Sequence, residues 1–329
     1  MRINELFCDG AVFQAYKPIR FFGTGGGNLK ISFCGNNYES DKVGTEWEVE
    51  FPAMQYGGPF ELSITLDGKE QVFHDIYIGD VYILAGQSNI QLKLKEANYS
   101  PNLYCTDPLL RLFSTERMNG GEKFFPQDGW VKVDAENAGD WPCLGYLTGI
   151  HLREKTNHAI SFITCYQGAA AIQSYLPDFV FENPIFNIPD EERFDNVYPW
   201  NKGHSLLYHY QLEKITPFSS SGVIWYQGES NVSQKESAVY GEMLSSLIHS
   251  WRKAFKDELL PFVIIQIADF IGRDTAPWHI IQQAQEEIQH KELYVKTVIS
   301  RDVCENTDIH PKNKYELAKR IADAIHEKL

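Results

Sequence analysis

Val81-Tyr82-Ile83-Leu84-Ala85-Gly86-Gln87-Ser88-Asn89 decides how this chain is read. Five apolar residues in a row, closed by a glycine, read as a strand buried on both faces, as in a parallel sheet. Gly86 ends that strand in a sharp turn. The Ser88 hydroxyl then emerges at the strand's carboxyl end, the edge where open α/β sheets bind ligands. A serine there is a candidate nucleophile, and it needs a base, an orienting acid and oxyanion donors. Taken alone it also suits a helix cap, the commoner use of serine at such a place.

The surrounding pattern supports the strand. From about residue 77, short apolar runs at 80–85, 159–165, 222–227, 261–267 and 294–300 alternate with amphipathic stretches. Between 234 and 255, Tyr240, Leu244, Leu247, Ile248, Trp251 and Phe255 share one helical face. A last helix is expected directly after Pro311, with Leu317, Ile321 and Ile325 buried. Such alternation implies an α/β domain over 77–329, a doubly wound parallel sheet with helices on both faces.

Upstream the period changes to two. Leu29-Lys30-Ile31-Ser32-Phe33, Trp47-Glu48-Val49-Glu50-Phe51 and Phe60-Glu61-Leu62-Ser63-Ile64-Thr65-Leu66 alternate apolar with polar, and Asp67-Gly68 follows as a turn signal. Residues 1–76 therefore read as a small β-sandwich or jelly-roll-like domain. The cluster Gly23-Thr24-Gly25-Gly26-Gly27 lacks the strand-then-helix context and the Lys-Ser/Thr ending of a phosphate loop, so it reads as a turn or bulge.

Composition excludes several classes. A net charge of −14 opposes nucleic acid and anionic membrane as partners. No apolar run is long enough to span a bilayer. The six cysteines show no Cys-x-x-Cys spacing, which argues against a structural metal or a dithiol site and for free thiols. The amino terminus carries no signal-peptide core, so the cytoplasm is the expected compartment.

Three further stretches fall at carboxyl ends of expected strands. Tyr166-Gln167-Gly168-Ala169 offers a backbone N–H at Gly168, where the chain can approach a ligand closely. Gly222-Val223-Ile224-Trp225-Tyr226-Gln227-Gly228-Glu229-Ser230-Asn231 offers Gln227, an uncharged amide suited to an oxyanion. Glu229 is an even choice between positioning the histidine or a sugar hydroxyl and a plain loop salt bridge. Asp308-Ile309-His310-Pro311 offers His310 as general base with Asp308 on the same face two residues earlier. Asp302, also at a strand end, is the rival acid.

Gly86-Gln87-Ser88-Asn89, the block 222–231 and Asp308-Ile309-His310-Pro311-Lys312-Asn313-Lys314 together resemble the sialate O-acetylesterase family, a branch of the SGNH-type hydrolases. Leu6-Phe7-Cys8-Asp9-Gly10-Ala11-Val12-Phe13-Gln14 and Gly79-Asp80-Val81 are similar to that family's amino-terminal β-domain and its junction. The resemblance implies a three-layer, flavodoxin-like α/β/α domain and a serine esterase without metal or cofactor. Its substrate would be an acetylated sugar, either a 9-O-acetyl sialate or an acetylated plant-polysaccharide fragment. It implies Ser88 as nucleophile and His310 as base, with Gly168, Gln227 and the Ser88 N–H as oxyanion donors. Asn231 and Glu229 become supporting or substrate residues. Two departures stand out: Ile90 replaces the usual methionine, and Asp-x-His replaces Asp-x-x-His, which keeps Asp302 in contention.

The stretch 173–200 gathers Tyr175, Phe179, Phe181, Phe186, Phe194, Tyr198 and Trp200 without a clean period. It is expected as a long loop over the catalytic edge, its aromatics forming a satellite core more often than a sugar platform. The rival readings are a carbohydrate-binding protein that has lost the chemistry, and a general short-chain or lipid esterase.

Overall fold

The computed structural model describes residues 2–97, 99, 101–118, 129–194 and 197–327. Before the Ser88 turn run β1 (Arg2–Ile3), β2 (Val12–Gln14), β3 (Ile19–Thr24), β4 (Gly27–Phe33), β5 (Asn36–Val43), β6 (Glu46–Phe51), β7 (Gly57–Leu66) and β8 (Lys69–Gly86). After it come β9 (Asp107–Phe113), β10 (Trp130–Val133), β11 (Ile160–Tyr166), β12 (Gly222–Tyr226), β13 (Phe262–Ile265) and β14 (Val295–Val298). The helices are α1 (Ser88–Gln91), α2 (Cys143–Arg153), the short α3 (Pro199–Lys202) and α4 (Glu213–Ile215), α5 (Gln234–Ala254), α6 (Ala276–Lys291) and α7 (Tyr315–His326).

β8 organises the molecule. It spans 18 residues, about three times the usual strand. Its first half pairs antiparallel with β7, and its second half runs parallel between β11 and β12. The order β10-β9-β11-β8-β12-β13-β14 forms the main path of an 11-stranded sheet, which β2, β4, β5 and β7 join off that path. The fold is thus mixed α/β around one large sheet. The boundary expected at 76/77 falls inside β8. Burial alternates through Ile76 and Ile78 and becomes continuous from Val81. An extended backbone serves both environments, so a change of side-chain period marks no break in the strand.

Two strands after β8 lay outside the sequence reading. β9 pairs parallel with β11, and β10 closes that edge antiparallel to β9. β9 opens on Asp107-Pro108 and carries Arg111 within it, which masks an apolar run. A separate sheet, β1-β3-β6, meets the first one through phenylalanines: Phe21 lies 5.5 Å from Phe13 and 6.2 Å from Phe33, ring centre to ring centre.

Register places helices on opposite faces. Leu84 sits beside Ile224, and Ala85 beside Trp225; successive side chains alternate sides. Gly145 of α2 lies against Leu84, whereas Trp251 of α5 meets Trp225 edge-on at 5.8 Å. α7 packs on α2, and α6 on α5. The expected 234–255 helix is observed with its apolar face buried and with Ser233 capping Glu236 N–H. The last helix differs: it starts at Tyr315, not at Pro311. The Glu305 carboxylate accepts the N–H groups of Lys312 and Asn313, which ties this stretch to residue 305 ahead of the helix. Leu317 and Ile321 are buried as expected, and Ile325 is half-buried.

Gly86 is where the strand must stop. Its φ is +130°, and a Cβ there would lie 2.0 Å from the Tyr226 carbonyl oxygen. Gly86→Ala is expected to cost more than about 3 kcal/mol, read as a lowered urea midpoint. A midpoint equal to that of the wild type would contradict the close approach.

Candidate active site

Three neighbours clamp the end of β8. The Gly86 carbonyl accepts the Gln167 N–H at 3.1 Å and the Tyr175 hydroxyl at 2.6 Å, while the Gln87 N–H donates to Tyr226 O at 3.0 Å. Ser88 opens α1 directly after this clamp. As a first-turn residue it has an N–H that no intrahelical carbonyl can accept. Gly168 follows β11, and its N–H donates to Gln91 Oε1 at 2.8 Å. A side-chain carbonyl oxygen from α1 therefore already sits on one expected oxyanion donor.

The loop after β14 brings His310 across the chain. His310 Nε2 stands 2.7 Å from Ser88 Oγ. Burial lowers the imidazole pKa below its ordinary value, against the Asp308 charge; Lys314 and Lys312 also lower it, and Glu96 opposes. Asp308 Oδ1 accepts the backbone N–H of His310 at 2.9 Å, so its hydrogen bond shapes the loop and its charge faces the ring. Asp302 is held elsewhere. Arg320 of α7 grips both of its oxygens, at 2.7 and 2.8 Å, and draws its pKa down.

The block after β12 differs from expectation. Gln227 is fully buried, and its Nε2 has three acceptors: Asn231 Oδ1 at 2.7 Å, and Gln87 Oε1 and Ala170 O at 3.1 Å. Its Oε1 accepts from Tyr240. An amide with two N–H groups so engaged has none left for an oxyanion. In this arrangement the Gln227 amide is turned inward, toward Gln87, Ala170 and Asn231. Asn231 is likewise internal: it accepts the Ile172 N–H and donates to Gln173 and Glu236. Glu229 is buried with its pKa raised by desolvation, and its Oε1 lies 2.5 Å from Asn89 Nδ2.

Asn89 and Lys314 escaped the sequence reading as partners. Lys314 Nζ donates to Asn89 Oδ1 at 2.9 Å from a fully buried position. Asn89 closes the Gly86–Asn89 motif and Lys314 the Asp308–Lys314 motif, but a lysine before a helix normally reads as solvated. The loop 173–200 does lie on this edge, since Trp200 Nε1 donates to Gly168 O at 2.8 Å. Its aromatics divide: Tyr175, Phe186 and Trp200 are buried, whereas Phe179, Phe194 and Tyr198 are exposed. Among the described residues no three His, Cys, Asp or Glu side chains group to hold a metal, and no helix is long and apolar enough to cross a membrane. Cys143 and Cys165 are buried free thiols, and Cys34 is an exposed one.

The family model for carbohydrate esterases of the sialic acid-specific acetylesterase type matches residues 78–327. The sialate O-acetylesterase of Rattus norvegicus is 24% identical over 91% of this chain and 68% of its own length. The Homo sapiens enzyme is 24% identical over 84% of this chain, which spans 59% of that protein. A carbohydrate acetylesterase from Xanthomonas citri superposes with a TM-score of 0.85 at 27% identity, over 99% of this chain and 75% of that one.

Two outcomes follow from the geometry. Because burial lowers the His310 pKa, kcat/KM should hold as pH falls toward the ordinary histidine value of about 6.5 and drop only below it; a limb above that value would contradict the assignment. Gln227→Met should lower stability by about 3 kcal/mol through stranded partners. An unchanged melting temperature with turnover down roughly 10²–10³-fold would restore Gln227 as an oxyanion donor.

Proposed function

We propose that this chain, which belongs to the sialic acid-specific acetylesterase family of carbohydrate esterases and is a carboxylic ester hydrolase, removes O-acetyl groups from a sugar through an acyl-Ser88 intermediate. The observation that carries the reading is the 2.7 Å contact between Ser88 Oγ and His310 Nε2, made across 222 positions of sequence. His310 takes the serine proton as Oγ attacks the acetyl carbonyl. The sugar oxygen leaves with that proton, and a water activated by the same imidazole returns acetate and free Ser88.

The developing oxyanion has two backbone donors in this reading, the N–H groups of Ser88 and Gly168. Gln91 Oε1 must leave Gly168 as substrate enters. Asp308 opposes the desolvation of the imidazolium by its charge, and Asp302 serves the α7 anchor. Glu229 and Asn231 support the edge from behind. The substrate class is an acetylated carbohydrate, as the names of the relatives suggest, and the candidates within it are a 9-O-acetyl sialate and an acetylated plant-polysaccharide fragment. Helices on opposite sheet faces support a three-layer SGNH-type domain over 77–329. The phenylalanine cluster between sheets supports an amino-terminal β-sandwich over 1–76, joined through the shared strand β8.

Release of acetate from 4-nitrophenyl acetate by the wild type, Ser88→Ala and His310→Ala tests the mechanism. Each substitution is expected to lower kcat by about 10⁴-fold or more without change in the near-ultraviolet circular dichroism. Activity that survives in Ser88→Ala would remove Ser88 as nucleophile. Acetate release from an O-acetylated sialic acid against acetylated xylo-oligosaccharide then ranks the substrates.

A further inference from the structure

A single amide joins the two halves of the Ser88–His310 pair. Asn89, the neighbour of Ser88, donates from Nδ2 to the carbonyl of Ile309, the neighbour of His310, at 2.9 Å. The same Nδ2 donates to Glu229 Oε1 at 2.5 Å. Its Oδ1 accepts from Lys314 Nζ at 2.9 Å. Lys314 is donor-only, and Ile309 O is acceptor-only. One orientation of the amide therefore satisfies all three partners, and the flipped one sets oxygen against oxygen.

Lys314 is an expensive residue for this place. It is 0% exposed, and its ammonium lies 5.0 Å from the centre of the Tyr226 ring. The groups facing it are Cys304 and Glu305 from the loop after β14, Cys143 from α2 and Glu229 from the loop after β12. Burial lowers its pKa, and the four neighbours act in the opposite sense. An apolar side chain of similar volume would fill the same space without desolvating a charge. The ammonium thus has a use beyond packing, and its hydrogen bond to Asn89 Oδ1 leads to the amide between the two loops.

We propose that Lys314 is a positioning residue for the catalytic pair. Through Asn89 it holds the Ser88 turn and the His310 loop in register, and its charge disfavours a premature proton on His310. The proposal rests on the reading of Ser88 and His310 as nucleophile and base. Four charged groups face the imidazole: Asp308 and Glu96 favour the protonated ring, and Lys314 and Lys312 oppose it. Lys314 is the buried lysine of the two, so solvent and salt screen it least.

The test is the pH profile of 4-nitrophenyl acetate hydrolysis by wild type, Lys314→Met and Asn89→Ser, with kcat normalised by active-site titration. Removing the cation raises the His310 pKa, so the acid limb of kcat/KM in Lys314→Met should move up by about half a unit or more. Its kcat should fall roughly tenfold with KM within about twofold, the mark of lost alignment. Asn89→Ser keeps the ammonium and cuts the tie: kcat should fall similarly while the limb stays. A folded Lys314→Met with the wild-type limb and kcat would overturn the proposal. If Lys314→Met does not fold, Asn89→Ser decides, and a normalised kcat within about twofold of wild type overturns it. Activity surviving in Ser88→Ala would instead sink the parent reading, and this inference with it.

Discussion

Parallel pairing on both sides of β8 is the constraint on which the rest depends. Flanked by β11 and β12, the strand has no free edge at its carboxyl end, and the chain must leave along the sheet's rim. Gly86 makes that exit possible because the Tyr226 carbonyl occupies the space a side chain would need. The loops after β11, β12 and β14 reach the same rim, so Gly168, Gln227 and His310 are gathered by topology and not by sequence proximity.

Behind the rim lies an unusual amount of buried polar chemistry. Gln87, Gln227, Asn231, Gln173 and Glu236 form a connected set with almost no exposure. Each of the four amides offers both donor and acceptor, and the Glu236 carboxyl accepts from Gln173 and Asn231. Such a network is rigid when complete and costly when any member is lost. It explains why a chain with so polar a block still folds it inward: the loop after β12 is held by Gln87, which accepts from Gly228 N and Ser230 N. The Ser88 turn and the loop after β12 are therefore one structure.

The loop 173–200 shows how one stretch serves both core and rim. Tyr175 reaches under the Ser88 turn to Gly86, while Trp251 donates to the Tyr175 carbonyl. Farther along, Tyr198 stacks flat on Trp200 at 4.9 Å, and the Arg273 guanidinium lies 4.4 Å from the centre of the exposed Phe194 ring. Aromatic surface is thus available at the catalytic edge. The buried members of the same stretch keep it anchored.

Local pattern alone determined a good deal. The apolar runs of β8, β11, β12, β13 and β14, the long amphipathic α5 and the alternating strands β4, β6 and β7 were legible because side-chain period reports directly on the faces an element buries. Ser88 and His310 were legible because each follows such a run or closes a recognisable motif. Tertiary structure decided the rest. That β8 runs unbroken through the antiparallel and parallel parts of one sheet, that β9 and β10 extend the edge and that Glu305 delays α7 all depend on partners distant in sequence. So does the role of Gln227: its residue type suits an oxyanion equally well, and only the three acceptors around it turn its amide inward. Lys314 is the sharpest case. A lysine's sequence context favours solvent, and only the folded chain supplies the Asn89 oxygen, the Tyr226 ring and the carboxylates that make its burial tolerable, because hydrogen bonding and desolvation are properties of a place in space.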